Sequence, residues 1–333
     1  MTFSIELIIG IIFVALVFDF LNGFHDAANS IATIVSTRAL RPQYAVAWAA
    51  FFNFIAFLFF GLHVANTIGK GVIVPSIADP IVILAALIGA VAWNIITWYY
   101  GIPSSSSHAL IGGLAGAAVS KGGMHALIPG GFTKIALSIV LAPTIAFAVA
   151  FLYKMISSLV LFRAHPKKVD RWARRIQFVS CAFYSLGHGG NDAQKTMGII
   201  AILLFSTGRL GPDFHVPTWV VLICQAAMGL GTLFGGWRIV RTMGMKITKL
   251  RPIGAHCAEV GGALTLFTAT GLGIPVSTTH TISGAIMGVG AASNASAVRW
   301  GVAERIIWAW ILTIPASAFI SAVSWWGLGH LIR

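Results

Sequence analysis

Apolar stretches long enough to cross a lipid bilayer recur along this whole chain. A helix needs about 20 mostly apolar residues to span the hydrocarbon core. Six long stretches and six shorter or interrupted ones are present: 5–21, 44–64, 81–100, 133–162, 217–237 and 306–328, then 27–37, 104–120, 176–187, 193–207, 255–273 and 276–292. Hydrophobic residues make up 57% of the chain and charged residues 9%, which excludes a soluble domain. The pattern predicts an all-α polytopic membrane protein with about 10–12 membrane segments.

The basic residues lie beside apolar stretches rather than in a domain of their own. Much of the net charge of +13 comes from two clusters: Arg163, Lys167, Lys168, Arg171, Arg174 and Arg175, and Arg238, Arg241, Lys246, Lys249 and Arg251. Because Lys and Arg gather in cytoplasmic loops, we expect both clusters inside and the chain in the cell (inner or plasma) membrane as a multi-pass protein. They predict contact with a lipid bilayer and no nucleic-acid partner, since no soluble domain carries them.

The three cysteines, Cys181, Cys224 and Cys257, are scattered along the sequence. Such an odd and dispersed set fits neither a disulfide framework nor a zinc site. We therefore expect no cofactor apart from a coupling ion.

Two short motifs occur twice in the same order. GFHDAAN at 23–29 returns as GGNDAQK at 189–195, and IPSSSSH at 102–108 returns as IPVSTTH at 274–280. Both intervals are close to half the chain, which indicates a duplication. We expect an N-terminal repeat at 1–162, a basic cytoplasmic linker at 163–175 and a C-terminal repeat at 176–333.

Charge placement gives the two repeats opposite orientations. Arg38 and Arg41 are expected inside, so the hairpin around Pro103 enters from outside. The hairpin around Pro275 is expected to enter from inside, since the residues that follow it are again basic. Two inverted repeats with broken helices and two helical hairpins are typical of secondary transporters.

Glycines mark the expected helix breaks. The stretch 176–207 is too long for one straight span, and Gly187–Gly190 is its predicted break, with Gly23 in the other repeat. Irregular backbone at membrane depth must be buried in protein or line a cavity. We therefore expect the two Pro-Ser hairpin tips to stop within the membrane.

Carboxylates occur in these apolar segments. Each of Asp19, Asp26, Asp192 and Glu259 would cost about 2.5–3.5 kcal/mol at the centre of a membrane helix if it were left uncompensated. Cations, protons or hydrogen-bond donors must therefore accompany them, and a matched pair fits a structural polar contact poorly. The candidate residues for a coupling cation are Asp26, Asn29, Asp192, Asn191, His25 and Glu259, with sodium, if it is the ion, at Asp26 and Asp192.

Hydroxyl side chains follow a proline in both copies of the second motif. A proline begins a helix well, so free backbone N–H groups point forward beside the hydroxyls. Such donors at a helix N-terminus attract an anion, although ordinary capping would explain one run alone. The candidate anion ligands are Ser105, Ser106, Ser107, Ser277, Thr278 and Thr279, with Asn29, Gln194 and Lys195.

An anion site beside carboxylates would be repulsive unless positive ions or protons bind with the anion. That mutual dependence is the logic of a symporter. His25 can carry a proton near neutral pH, or it can be a hydrogen-bonded residue at the helix break. His108 and His280 follow the hydroxyl runs at the same spacing, and we expect them to support the hairpin tips rather than to bind a metal.

The paired motifs, together with Trp93-Asn94 leading into Tyr100–Pro103, resemble the inorganic phosphate transporter family. That family includes bacterial low-affinity phosphate permeases and sodium-dependent phosphate transporters that serve as retroviral receptors. The resemblance covers nearly the whole chain. It implies an inverted-repeat helical fold, a homodimer, and phosphate moved with a cation by movement of a hairpin-bearing core against a scaffold.

By position, the resemblance implies that Asp26, Asn29, Asp192 and Gln194 surround the cation and phosphate. It also implies that the hydroxyl runs contact phosphate oxygens, and that Glu259 serves a further ion site. His25 is similar to the proton-coupled bacterial branch, because the sodium-coupled branch usually has Asn there. The long central hydrophilic loop of the family is reduced here to 163–175.

The sequence thus predicts symport of inorganic phosphate into the cell with a cation. A proton is the first choice, with phosphate free or complexed to a metal, and sodium is the second. One alternative is a sulfate permease of the same family. Another is an intramembrane hydrolase, against which the symmetry of the motifs argues, because chemistry needs distinct acid and base roles.

Overall fold

The computed structural model describes residues 3–331 and contains twelve α-helices in that part of the chain. They are α1 (Ile5–Ser36), α2 (Pro42–Ile55), α3 (His63–Gly71), α4 (Pro80–Tyr100), α5 (Ser106–Gly122), α6 (Pro129–Val160), α7 (Pro166–Ser206), α8 (Thr218–Phe234), α9 (Trp237–Arg241), α10 (Pro252–Gly271), α11 (Thr278–Ser293) and α12 (Trp300–Leu331). Between 3 and 331 the β structure amounts to one isolated bridge, Ile73 to Leu127.

Several helices have the length and apolarity that a bilayer requires. Within the described residues, α1, α4, α6 and α12 could each cross a membrane unaided. Two bent helix pairs could each form one further span: Pro42–Leu58 meets His63–Gly71 at 78°, and Thr218–Phe234 meets Trp237–Lys246 at 61°. The prediction of an all-α polytopic protein with broken helices and two helical hairpins is confirmed.

The predicted helix break at Gly187–Gly190 is wrong, and so is the one at Gly23. Helix α7 runs from Pro166 to Ser206 without interruption, and α1 is continuous through its glycine. These glycines serve close packing instead: a Cβ at Gly23 would lie 2.1 Å from the Met228 carbonyl oxygen on α8, and one at Gly189 would lie 2.4 Å from the Asn53 carbonyl oxygen on α2. The bends lie instead between α2 and α3 and between α8 and α9. The N-terminal turns of α7 also take up most of the basic segment 163–175.

The twelve helices form two matching sets of six, α1–α6 and α7–α12. Helix α1 packs on α8 and α7 packs on α2, while α5 packs on α12 and α11 packs on α6. Each half therefore builds its contacts largely on the other half, which is the pairing that a duplicated fold produces.

The two hairpins, α4–α5 and α10–α11, meet at their tips. Helices α5 and α11 begin there, and the rings of His108 and His280 in their first turns lie 4.6 Å apart. From this meeting point the two helices pack against different neighbours. Two helix N-termini that meet tip to tip fit the inverted repeats that the sequence predicts.

Two buried apolar clusters lie on either side of these tips. One joins the first half of α1 and the second half of α7 to α4, α5 and α8, and the other joins the remaining halves to α6, α10 and α11. Because α1 and α7 pass through both clusters, their centres lie between the two cores. The GFHDAAN and GGNDAQK motifs are at those centres.

Candidate functional site

Asp26 of α1 and Asp192 of α7 meet at the centre of the molecule. Their carboxylate oxygens and a ring nitrogen of His188 lie within 4.8 Å of one another. Asp26 is 2% exposed, and Asp192 and His188 are 0% exposed. Two acids from opposite halves thus face each other in a closed interior, as the motif pair predicted they would.

Asp26 accepts hydroxyl donors from both hairpin tips. Ser106 Oγ on α5 donates to Oδ2 at 2.9 Å, and Thr279 Oγ1 on α11 donates to Oδ1 at 3.4 Å. His25 links the same acid to α4, with Nδ1 2.8 Å from Asp26 Oδ1 and Nε2 3.2 Å from Thr97 Oγ1. Its ring is therefore held by two partners beside the acid.

Asp192 repeats this arrangement from the other half. Thr278 Oγ1 donates to Oδ2 at 2.8 Å, and Ser107 Oγ donates to Oδ1 at 3.4 Å. His188 Nε2 lies 3.4 Å from Oδ2, and the Lys195 ammonium forms an ion pair with Oδ1. Each acid thus takes one hydroxyl from the hairpin of its own repeat and one from the other repeat.

Lys195 and Asn29 hold equivalent positions in the two motifs, and each reaches the hairpin of the other repeat, with Lys195 also bonding its own. Lys195 Nζ donates to Ser107 Oγ at 2.5 Å and to the Val276 carbonyl oxygen at 2.7 Å, and the residue is 1% exposed. Asn29 Nδ2 donates to Thr279 Oγ1 at 2.9 Å and to Thr278 Oγ1 at 3.2 Å. The main asymmetry of the site is therefore one buried positive charge.

The N-cap residues shape the hairpin tips rather than facing the acids. Ser105 Oγ accepts the backbone N–H of His108 at 3.2 Å, and Ser277 Oγ accepts that of His280 at 3.2 Å. This capping starts α5 and α11 at the next residue. The first N–H groups of both helices stay free of intrahelical partners, and with the hydroxyls and Lys195 they form a donor-rich centre suited to a tetrahedral oxyanion.

The two amide side chains of the GGNDAQK motif, Asn191 and Gln194, accept hydrogen bonds from backbone N–H groups of neighbouring segments. Asn191 Nδ2 donates to Thr270 Oγ1 at 2.9 Å, and Asn191 Oδ1 accepts the Val276 N–H at 3.3 Å, so this residue holds the second hairpin loop. Gln194 Oε1 accepts the N–H groups of Val64 and Ala65 at 3.0 and 3.1 Å. The structure thus places Gln194 at the start of α3 and not against the two acids.

Glu259 of α10 lies in a separate polar pocket. It is 1% exposed and accepts hydrogen bonds from Gln177 Nε2 at 3.2 Å and from Ser180 Oγ. Gln177 Oε1 in turn accepts Thr37 Oγ1 at 2.9 Å. Within the described residues these hydrogen bonds do not reach Asp26 or Asp192, so the structure does not bring this acid into the central cluster.

Three further residues complete the site. His188 stands at the place that Asn22 holds in the first repeat, four positions before the acid, so the motif alignment could have identified both. Asn22 Oδ1 accepts a hydrogen bond from Ser106 Oγ at 2.6 Å. Tyr184 OH donates to the Thr278 carbonyl oxygen at 2.9 Å, a contact with no signal in the sequence.

Known proteins share this architecture. The chain matches the phosphate transporter family model over residues 22–321. It is 66% identical to a probable low-affinity inorganic phosphate transporter of Rhizobium meliloti (strain 1021), covering 97% of this chain and 96% of that protein. It is 47% identical to the probable low-affinity inorganic phosphate transporter of Bacillus subtilis (strain 168), covering 96% and 97%. A solved structure of a sodium-dependent phosphate transporter superposes with a TM-score of 0.91 at 26% identity, over 98% of this chain and all of that one.

These similarities cover both copies of both motifs. They confirm the resemblance seen in the motifs and the multi-pass membrane location. The matched proteins are transporters and not enzymes, so the intramembrane hydrolase is excluded. The chain belongs to the phosphate transporter family.

Proposed function

We propose that this chain carries inorganic phosphate into the cell together with protons. The observation that supports this most strongly is the closed central cluster of two helix N-termini, one buried ammonium and two buried carboxylates. The printed names of the relatives, low-affinity inorganic phosphate transporters, supply the substrate.

Phosphate would bind between the hairpin tips. Ser106, Ser107, Thr278 and Thr279 present hydroxyls there from opposite sides, beside the free N–H groups of α5 and α11. Lys195 Nζ lies at the same place, bonded to Ser107 Oγ. Charge-assisted hydrogen bonds of this kind are roughly twice as strong as neutral ones. The tetrahedral anion would thereby join the two halves of the protein.

The charge of the cluster requires co-bound positive charge. Two ionised carboxylates and one ammonium leave one negative charge before the anion enters. Phosphate would add further negative charge in a site that is closed to solvent, where repulsion is weakly screened. Protons or cations must therefore bind with phosphate, and each positive charge beyond neutrality gains about 2.3 kcal/mol per 100 mV of membrane potential on entry.

Lys195 favours protons over sodium as the coupling ion. Its ammonium already occupies Asp192 Oδ1 and a hairpin carbonyl oxygen, two oxygens of the kind that a sodium ion would need. The equivalent Asn29 carries no charge, so only the Asp26 side offers an oxygen-rich place for an added ion. Sodium at Asp26 is the second candidate.

A metal–phosphate complex is a specific variant of the proton-coupled proposal. Asp26, His188 and Asp192 offer two carboxylates and an imidazole nitrogen within 4.8 Å of one another. Carboxylate and imidazole suit several divalent cations. A divalent ion entering with phosphate would bind there against the two acids.

Proteoliposomes that contain the purified protein test the function. Uptake of labelled phosphate is measured with inward proton and sodium gradients imposed separately at one membrane potential, and a trapped pH-sensitive dye follows proton entry. We expect the proton gradient to drive uptake, phosphate to cause internal acidification, and excess sulfate to leave uptake unchanged.

Each departure from this result has a defined meaning. Uptake that follows the sodium gradient alone would establish the second candidate ion. Full competition by sulfate would support a sulfate permease. No phosphate movement under either gradient would contradict the proposal. The homodimer and the additional ion site at Glu259 stay predictions.

A further inference from the structure

Asp19 is a buried acid that the central cluster does not use. It lies on α1 two turns before Asp26 and is 0% exposed. Neither of its carboxylate oxygens has a hydrogen-bond partner among residues 3–331, and no basic side chain pairs with it there. An ionised carboxylate in such a place is very costly, because neither water nor a counter-ion compensates it.

The groups around Asp19 make a proton the fitting ligand. Thr196 of α7, Asn22 of α1 and Cys224 of α8 lie next to the carboxyl without reaching hydrogen-bond geometry, and the Thr196 hydroxyl is itself unsatisfied within the described chain. The titratable and charged groups that face it are Asp192 and the Cys224 thiol. The negative charge of Asp192 disfavours an ionised carboxylate at Asp19, whereas the Cys224 thiol is a weak donor that favours it.

A short path joins Asp19 to the proposed transport site. Asn22, one turn further along α1, has its Oδ1 2.6 Å from Ser106 Oγ, and the same Oγ lies 2.9 Å from Asp26 Oδ2, so the two acceptors share one hydroxyl hydrogen. Asn22 thus lies between Asp19 and the Ser106 hydroxyl at the hairpin tip. The equivalent residue in the second repeat is Ser185, also buried, so the duplicated packing does not need an acid at this position.

We propose that Asp19 is the proton-binding carboxyl of the transport cycle. In this scheme one proton associates with a carboxylate oxygen while phosphate binds from outside, and it dissociates when the site opens to the cytoplasm. The inference rests on the proposed function, and it adds a named proton site outside the phosphate cluster.

The test separates proton-driven net uptake from phosphate exchange at equilibrium. Proteoliposomes that contain wild type, Asp19→Asn or the surface control Asp79→Asn are compared in both assays, with a trapped pH dye as a second readout. With one proton per phosphate, one pH unit should concentrate phosphate about tenfold in wild type and in the control. Asp19→Asn should abolish this accumulation and the phosphate-dependent acidification but retain exchange.

Asp19→Glu restores a carboxyl and should regain proton-driven accumulation with a shifted pH profile. The inference would be overturned if Asp19→Asn moved as many protons per phosphate as wild type. It would also be overturned if Asp19→Asn lost phosphate exchange as well and Asp19→Glu did not regain proton-driven accumulation. Asp19 would then be a structural residue. If wild type itself moves no phosphate, the proposed function fails and not this assignment alone.

Discussion

Lys195→Asn is the substitution that best separates the roles of charge and symmetry in the site. It replaces the one buried ammonium by the amide that the first repeat has at Asn29. The new side chain is shorter than Lys195, which is among the largest fully buried side chains of the described residues. The positive charge that pairs with the Asp192 carboxylate is lost.

The structure indicates the size of the effect. Lys195 Nζ bonds Ser107 Oγ and the Val276 carbonyl oxygen, and it pairs with Asp192. A hydrogen bond to a charged group contributes about 1.5–3 kcal/mol, so phosphate affinity should fall roughly 10- to 150-fold. Breaking a buried ion pair costs about 3–5 kcal/mol when the remaining charge is uncompensated. We therefore expect lower thermal stability, with partial recovery in sodium, because sodium can take the vacated position.

The assay is the KM for phosphate in proteoliposomes, measured with sodium and with a large organic cation in its place. Lys121→Asn is the matched control, since that lysine pairs with Asp79 in a partly exposed position away from the site. The control should keep the wild-type KM. An unchanged KM for Lys195→Asn in sodium-free medium would refute the role of this ammonium in binding phosphate.

Other substitutions test the remaining parts of the site. Asp26→Asn and Asp192→Asn should each abolish coupled phosphate uptake and leave a folded protein by size-exclusion chromatography; normal coupled uptake in both would contradict the assignment of the acid pair. Glu259→Gln should lower the uptake rate and leave the binding of phosphate in detergent within about twofold, because its hydrogen bonds do not reach the central cluster; a large loss of binding would place it in that cluster. Gly189→Ala should lower the melting temperature by several degrees, because its Cβ would lie 2.4 Å from a backbone oxygen of α2, whereas Gly130→Ala, with nothing within 4 Å, should not.

Much of the fold follows from the sequence because duplication is visible in it. The two motif pairs predicted two halves, and the positions of Pro103 and Pro275 predicted two hairpin tips. The meeting of Asp26 and Asp192 follows from the same symmetry, since equivalent acids on equivalent helices lie near the axis that relates the halves. These features depend on local sequence and its repetition, and both can be read without coordinates.

Other features depend on tertiary neighbours and could not be read in this way. A glycine beside an acid is as compatible with a helix break as with close packing, and only the Asn53 and Met228 carbonyl oxygens decide for packing. Gln194 appears in the second motif beside Asp192, yet helical geometry points it at the start of α3. Tyr184 of α7 reaches the Thr278 carbonyl oxygen at the start of α11, a pairing that neither motif marks.

An experimental structure of the purified protein with phosphate bound in the closed state tests the central claim most directly. It should show the anion between the first turns of α5 and α11, in hydrogen-bond contact with Ser107, Thr278 and Lys195 Nζ, with Asp26 and Asp192 still facing each other. Phosphate found elsewhere, or hairpin tips that do not touch it, would contradict this account.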